Sequence, residues 1–220
     1  ISHVTPSAMV LAKTFWPGPL TLVLRRKLNS GIVADACSGL DTIAIRMPHN
    51  KVALDLIRLS KIPIAAPSAN PSGRTSPTTA EHASSAIGNK VAMILDGGAC
   101  RIGIESTVIS LVQDPPLLLR PGDITGDEIE ALIGSVNIPD QRTETAPSSP
   151  GRAISHYAPS LPVRLNAMDL VGDEALLAFG VNTISKTTRV LNLSPDGSLE
   201  EAAANLYKML IELDNPKYSG

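Results

Sequence analysis

The chain has 220 residues, 43% hydrophobic and 18% charged, a balance that predicts a globular, soluble protein with one complete core and a smaller appended piece. No apolar run approaches the roughly 20 residues that a membrane-spanning helix needs. With 19 Lys and Arg against 21 Asp and Glu, the formal charge of -2 excludes a broad electrostatic grip on nucleic acid and leaves room only for local contacts.

Cys37 and Cys100 are the only cysteines and lack the CxxC spacing of a zinc or redox site, which predicts a reducing, cytoplasmic setting. His3, His49, His82 and His156 lie far apart, so no protein-held metal is expected. The sequence opens at Ile1 and enters a helical pattern at once, without the basic and apolar stretches of a leader, and it reads as part of a longer protein.

In chain order, Thr5-Pro6 caps an amphipathic helix over residues 7–15, with Ala8, Leu11, Ala12 and Phe15 on one face, stopped by Trp16-Pro17-Gly18-Pro19. Residues 20–24 and 42–46 are β-rich runs separated by turn residues around Asn29, Ser30 and Gly31. Helical spacing over 52–59 is followed by a strand pattern over 62–66 and a polar loop over 67–76. Ser76-Pro77 predicts the start of a helix running to Ile87. Further strands are predicted over 91–95, 107–112 and 117–119, and a short helix with an acidic first turn over 125–133. This alternation is that of an α/β domain with a mixed sheet, ending near residue 138. Residues 139–162, rich in Pro, Ser, Thr and Arg, read as a linker. Beyond it, strands over 163–165, 176–179 and 189–193 and a helix over 198–213 predict a partial second α/β domain spanning 163–220.

Several segments carry groups suited to chemistry. Ser68 and Asn70, in the loop after the 62–66 strand pattern, either face a ligand at the strand end or satisfy turn backbone. Gly103 to Val108 joins a glycine, a carboxylate and the hydroxyls of Ser106 and Thr107 at a strand entrance, where an anion can meet backbone N–H groups; a bulged strand start would look the same. Arg120, at a strand end before Pro121-Gly122, is placed either for a phosphate or carboxylate or for a surface ion pair. Period-two spacing puts Thr42, Ala44 and Arg46 on one face, a pocket wall or a solvated edge. His156-Tyr157-Ala158-Pro159 in the linker is either a lid over a bound nucleotide or simple packing. Neither a Walker A loop, a GxGxxG turn nor a GxSxG elbow occurs.

Taken together, Phe15 to Thr21, Thr42 to Pro48, Ala66 to Gly73, Gly103 to Val108, Leu119 to Gly122 and His156 to Pro159 resemble the Sua5/YrdC family in order and spacing. The resemblance covers residues 1–138 and the linker, and continues into a segment similar to the start of a Sua5 C-terminal domain. It implies a twisted α/β YrdC fold with a concave, charged cleft. It also implies synthesis of L-threonylcarbamoyladenylate from L-threonine, bicarbonate and ATP, with release of pyrophosphate. The threonylcarbamoyl group would then pass, through downstream transferase machinery, to adenosine 37 of tRNA.

By the same resemblance, Arg46, Ser68 and Ser106 line the L-threonine site, and Thr42, Asn70, Thr78, Arg120 and Tyr157 contact ATP, which brings Mg²⁺ with it. No covalent nucleophile is assigned. The family also carries a Lys-x-Arg element ahead of these motifs, and nothing before Thr42 has that spacing, so an N-terminal portion is expected to lie outside the chain. A YrdC-type module that holds RNA without catalysing a reaction is the competing expectation, as is a carbamoyltransferase-type relative. The Sua5-like extension after Tyr157 weighs against the latter.

Overall fold

Residues 2–139, 157–181 and 189–220 are described by the computed structural model of the chain. Alternating side chains set the centre of the fold. In β1 (Leu20–Arg25), Leu20, Leu22 and Leu24 point one way and are buried, while Thr21 and Val23 on the other face are half-buried. β1 pairs antiparallel with β2 (Thr42–Ile45) and parallel with β3 (Thr107–Ser110), and β3 pairs antiparallel with β4 (Leu117–Arg120). The result is the expected mixed sheet, four-stranded, in the order β2-β1-β3-β4. β3 is buried at every position, as befits an interior strand with a neighbour on each side.

The chain divides into two compact units, Ile1–Ala66 with Glu105–Arg152, and Pro67–Ile104 with Ala153–Gly220. The first holds the four-stranded sheet together with α1 (Pro6–Phe15) and α2 (Lys51–Ser60). The Thr5 hydroxyl accepts the Ala8 N–H at 3.1 Å to start α1, and Asn50 does the same for Ala53 at 3.2 Å at the head of α2. Ala8 and Leu11 from α1 join Leu20, Leu22, Leu24, Ile109 and Leu118 in the core. Fully burying each such Leu or Ile contributes about 1.5–3 kcal/mol before chain entropy is counted.

In the second unit, α3 (Ala80–Ile87) begins at Thr79, whose hydroxyl accepts the His82 N–H at 3.2 Å. The first unit closes with α4 (Gly126–Ile133), whose N-terminus carries a capping box. Thr125 accepts the Glu128 N–H at 3.3 Å and donates its own N–H to the Glu128 carboxylate at 2.8 Å. Returning to the second unit, β5 (Leu176–Ala178) and β6 (Val190–Asn192) pair in parallel. α5 (Leu199–Leu213) starts at Ser198, which accepts the Glu201 N–H at 3.2 Å, and it buries Ala202 and Tyr207. Among the described residues no helix is long and apolar enough to cross a membrane.

The structure departs from the sequence pattern at four places. Residues 62–66, 91–95 and 163–165 have strand composition but lie outside every ladder, and Ile62, Met93 and Leu165 are 63%, 75% and 80% exposed. Period and β-branching mark a segment able to join a sheet, whereas a strand exists only when a neighbouring backbone takes its hydrogen bonds. The predicted start at Ser76-Pro77 gives way to Thr79 because both flanking side chains are turned inward. Ser76 and Thr78 are buried, and the Thr78 hydroxyl lies 3.3 Å from His82 Nδ1. Most of the predicted linker, including His156, falls outside the described residues.

Candidate functional site

In the first unit the end of β4 folds back on the entrance to β3. Arg120 donates from Nε to the Ser106 carbonyl at 3.0 Å and from Nη2 to the Ser106 hydroxyl at 3.1 Å. That hydroxyl is also 2.8 Å from the hydroxyl of Thr21, which stands on the β1 face opposite its buried leucines. Arg120 Nη1 lies 3.9 Å from Glu105 Oε2, with the two side chains 18% and 25% exposed. A guanidinium that is four-fifths buried between a hydroxyl, a carbonyl and a carboxylate is fixed in orientation, and the planar fork suits it to this multi-point role.

The turn after Arg120 makes this arrangement tight. A Cβ at Gly122 would stand 2.5 Å from the Thr107 nitrogen and 2.7 Å from the Glu105 carbonyl oxygen, so only glycine lets the two backbones approach. Beside it, the fully buried Thr107 donates its hydroxyl to the Ile124 carbonyl at 2.7 Å and accepts the Ile124 N–H at 3.1 Å. The segment 105–107 is thereby pinned from both sides.

Thr42 opens β2 opposite Arg25 on β1, and Arg46 follows the last residue of that strand with its side chain exposed. Ile45, between them on the inward face, packs against the core.

In the second unit, Ser68 is exposed and Asn70 folds over its own loop. The Asn70 Nδ2 donates to the Pro71 carbonyl at 3.0 Å and to the Arg74 carbonyl at 2.9 Å, and its Oδ1 accepts the Ser76 hydroxyl at 3.5 Å, so the side chain is held within its own loop from both ends of the amide. Thr78, 5% exposed, is directed at His82, and its carbonyl accepts the Cys100 N–H at 2.8 Å.

Tyr157 joins this loop through the backbone. Its carbonyl accepts the Thr75 hydroxyl at 3.2 Å, and the next residue, Ala158, donates its N–H to the Gly73 carbonyl at 3.0 Å. Tyr157 itself has φ of 59°, in the left-handed region, and its ring stacks on Tyr207 of α5 at 5.4 Å between centroids.

Thus the structure brings Ser106 and Arg120 together in one unit and ties Tyr157 to the Asn70 loop in the other. Sequence reasoning gave no role to Thr21, Tyr207 or Asp214. The first was legible in principle, because alternation with Leu20 and Leu22 turns Thr21 away from the core. The other two depend on contacts 50 and 54 residues apart in sequence, for which local pattern offers no signal.

A four-stranded mixed sheet with flanking helices, and an oriented guanidinium beside hydroxyls at a strand end, defines an α/β protein. Residues 1–122 match the Sua5/YciO/YrdC family model described as "Telomere recombination", and residues 124–219 match the "Threonylcarbamoyl-AMP synthase, C-terminal domain". The chain belongs to the Sua5/YciO/YrdC family.

It is 50% identical over 165 residues to the threonylcarbamoyl-AMP synthase of Pyrococcus abyssi, covering 73% of this chain and 48% of that protein. It is 49% identical over 162 residues to that of Bacillus subtilis, covering 72% and 46%. The chain spans about half the length of these curated relatives. The crystal structure of P. abyssi Sua5 complexed with L-threonine matches with a TM-score of 0.85 at 38% identity, covering 99% of this chain and 68% of that one.

Proposed function

We propose that the complete gene product makes L-threonylcarbamoyladenylate from L-threonine, bicarbonate and ATP, releasing pyrophosphate. The observation that carries this reading is the Ser106–Arg120 arrangement at the head of β3, in a chain that is 50% and 49% identical, over 165 and 162 residues, to synthases of that name. The L-threonine bound to the P. abyssi Sua5 supports the choice of amino acid.

The residue roles follow unit by unit. In the first unit, Arg46 and Ser106 are assigned to L-threonine, since an exposed guanidinium can hold a carboxylate through paired N–H bonds. Thr42 and Arg120 are assigned to ATP. In the second unit, Ser68 is assigned to L-threonine, and Asn70, Thr78 and Tyr157 to ATP.

No covalent intermediate with the protein is required. The threonine amine and bicarbonate combine to a carbamate with loss of water. A carbamate oxygen then bonds to the α-phosphorus as the bond to the bridging oxygen breaks, and the electron pair leaves with pyrophosphate. The protein's contribution is alignment and stabilisation of charge on the phosphoryl oxygens, and Arg120 is suited to the latter because Ser106 already fixes its orientation. Mg²⁺ enters as the counter-ion of ATP. Among the described residues no group of three or more His, Cys, Asp or Glu side chains is placed to hold a metal.

The adenylate would serve a downstream transferase that modifies tRNA. The free thiols Cys37 and Cys100 suit a reducing compartment, and on that ground we place the reaction in the cytoplasm. The test is pyrophosphate release from ATP by the complete gene product. Release that requires both L-threonine and bicarbonate supports the reading, whereas salt-sensitive RNA binding without any nucleotide affinity replaces it with an RNA-holding module.

A further inference from the structure

The segment that follows the undescribed part of the linker is held from two directions within the second unit. On one side is the Asn70–Ser76 loop. The Thr75 hydroxyl donates to the Tyr157 carbonyl at 3.2 Å, the Ala158 N–H donates to the Gly73 carbonyl at 3.0 Å, and Arg74 Nη1 donates to the Ser160 hydroxyl at 2.7 Å. On the other side is α5. Tyr207, 7% exposed, stacks on the Tyr157 ring with an interplanar angle of 27°.

At the end of that helix the Asp214 carboxylate accepts the Ser160 N–H at 2.8 and 2.9 Å and the Leu161 N–H at 3.0 Å. Two features of this clamp call for a cause. A carboxylate at a helix C-terminus opposes the helix dipole, and Asp214 is the C-terminal cap of α5. Its place is explained by the amides of residues 160 and 161, which supply the positive ends it needs. A non-glycine residue in the left-handed region persists only where its surroundings fix it, and Tyr157 is such a residue.

We infer that Tyr207 and Asp214 are positioning residues for nucleotide use: through the ring stack and the amide clamp, α5 holds Tyr157 in the one orientation from which it meets ATP. This rests on the assignment of Tyr157 to ATP made above. It adds that the C-terminal helix sets affinity for ATP without touching it, and that affinity for L-threonine is not under its control.

The experiment measures pyrophosphate release by the complete gene product, with KM for ATP and for L-threonine determined separately and thermal melting recorded alongside. Tyr207→Leu, which keeps apolar bulk and removes the stack, is expected to raise KM for ATP by about two- to tenfold, the range of an aromatic pair. KM for L-threonine and kcat should stay within about twofold. Tyr207→Phe restores the stack and should restore the ATP KM. Asp214→Asn, which loses one of two accepting oxygens, should move the ATP KM in the same direction as Tyr207→Leu, and it carries the test by the same criterion if Tyr207→Leu does not fold.

An unchanged ATP KM in an active variant, or an equal rise in both KM values, overturns the inference while leaving the function intact. A lowered melting temperature with no change in ATP KM also overturns it and reduces the clamp to a structural contact. Absence of ATP-dependent pyrophosphate release from the unaltered protein overturns the function and this inference together.

Discussion

Arg120 lies across Ser106, with Nε 3.0 Å from its carbonyl oxygen and Nη2 3.1 Å from its hydroxyl, so one guanidinium holds both backbone and side chain of the residue ahead of β3. An arginine assigned to phosphate and a serine assigned to the amino acid are therefore mechanically one part. Loss of the first disturbs the second.

Arg120→Ala is expected to lower kcat/KM for pyrophosphate release by about 10- to 100-fold, the worth of a charge-assisted bond of about 1.5–3 kcal/mol. Arg120→Lys should recover little of this, because an ammonium cannot reproduce the fork that meets two Ser106 oxygens. Steady-state assays checking both KM values should find L-threonine as well as ATP affected.

Gly122→Ala forces a methyl to within 2.5 Å of the Thr107 nitrogen and 2.7 Å of the Glu105 oxygen. Both are backbone atoms, so the 105–107 segment must shift, at about 1–3 kcal/mol of stability. A lowered melting temperature together with reduced activity is the expected pair of results.

Thr107→Val removes a buried hydroxyl that serves both the N–H and the carbonyl of Ile124. Leaving such groups unpaired costs about 1–3 kcal/mol each, and Thr107→Ser should retain most of the stability. Urea unfolding should find the midpoint lowered for Val with an unchanged m-value.

Glu174 supplies a pH test. The hydrogen bond from Arg164, and after it the Val171 N–H, hold its carboxyl below the usual carboxylate range. A lowered folded-state value means the bond's contribution is present above the unfolded carboxylate pKa, about 4.3, and is lost as pH falls through the folded value. The stability difference between the unaltered protein and Glu174→Gln should therefore shrink on acidification from about pH 6 to about pH 3. A difference that stays constant over that window contradicts the assignment.

Much of the fold was legible because its signals are local. Alternating leucines in residues 20–24, the Thr5-Pro6 cap and the acidic first turn of the helix over 125–133 each fix an element through neighbours a few residues away. Residues 62–66 and 91–95 carried the same kind of signal and form no strand among the described residues, since composition cannot specify a partner.

The site was legible as a set of residues but not as an arrangement. Arg120 was placed at a strand end by pattern, yet its return onto Ser106 follows from the β3–β4 pairing, which the sequence does not display. By pattern, Gly103 opens a strand entrance that fits an anion site and a bulged strand start alike. A Cβ there would lie 2.2 Å from the Ala204 carbonyl oxygen of α5, so its glycine is needed for close packing about 100 residues away in sequence.

The most direct test is the fate of labelled carbon. The complete gene product incubated with ATP, L-threonine and ¹³C-bicarbonate should yield an adenylate whose mass carries both the threonine and one labelled carbon, with one pyrophosphate released for each. Pyrophosphate release without label in an adenylate, or nucleotide binding that yields no threonine-containing product, would contradict the account.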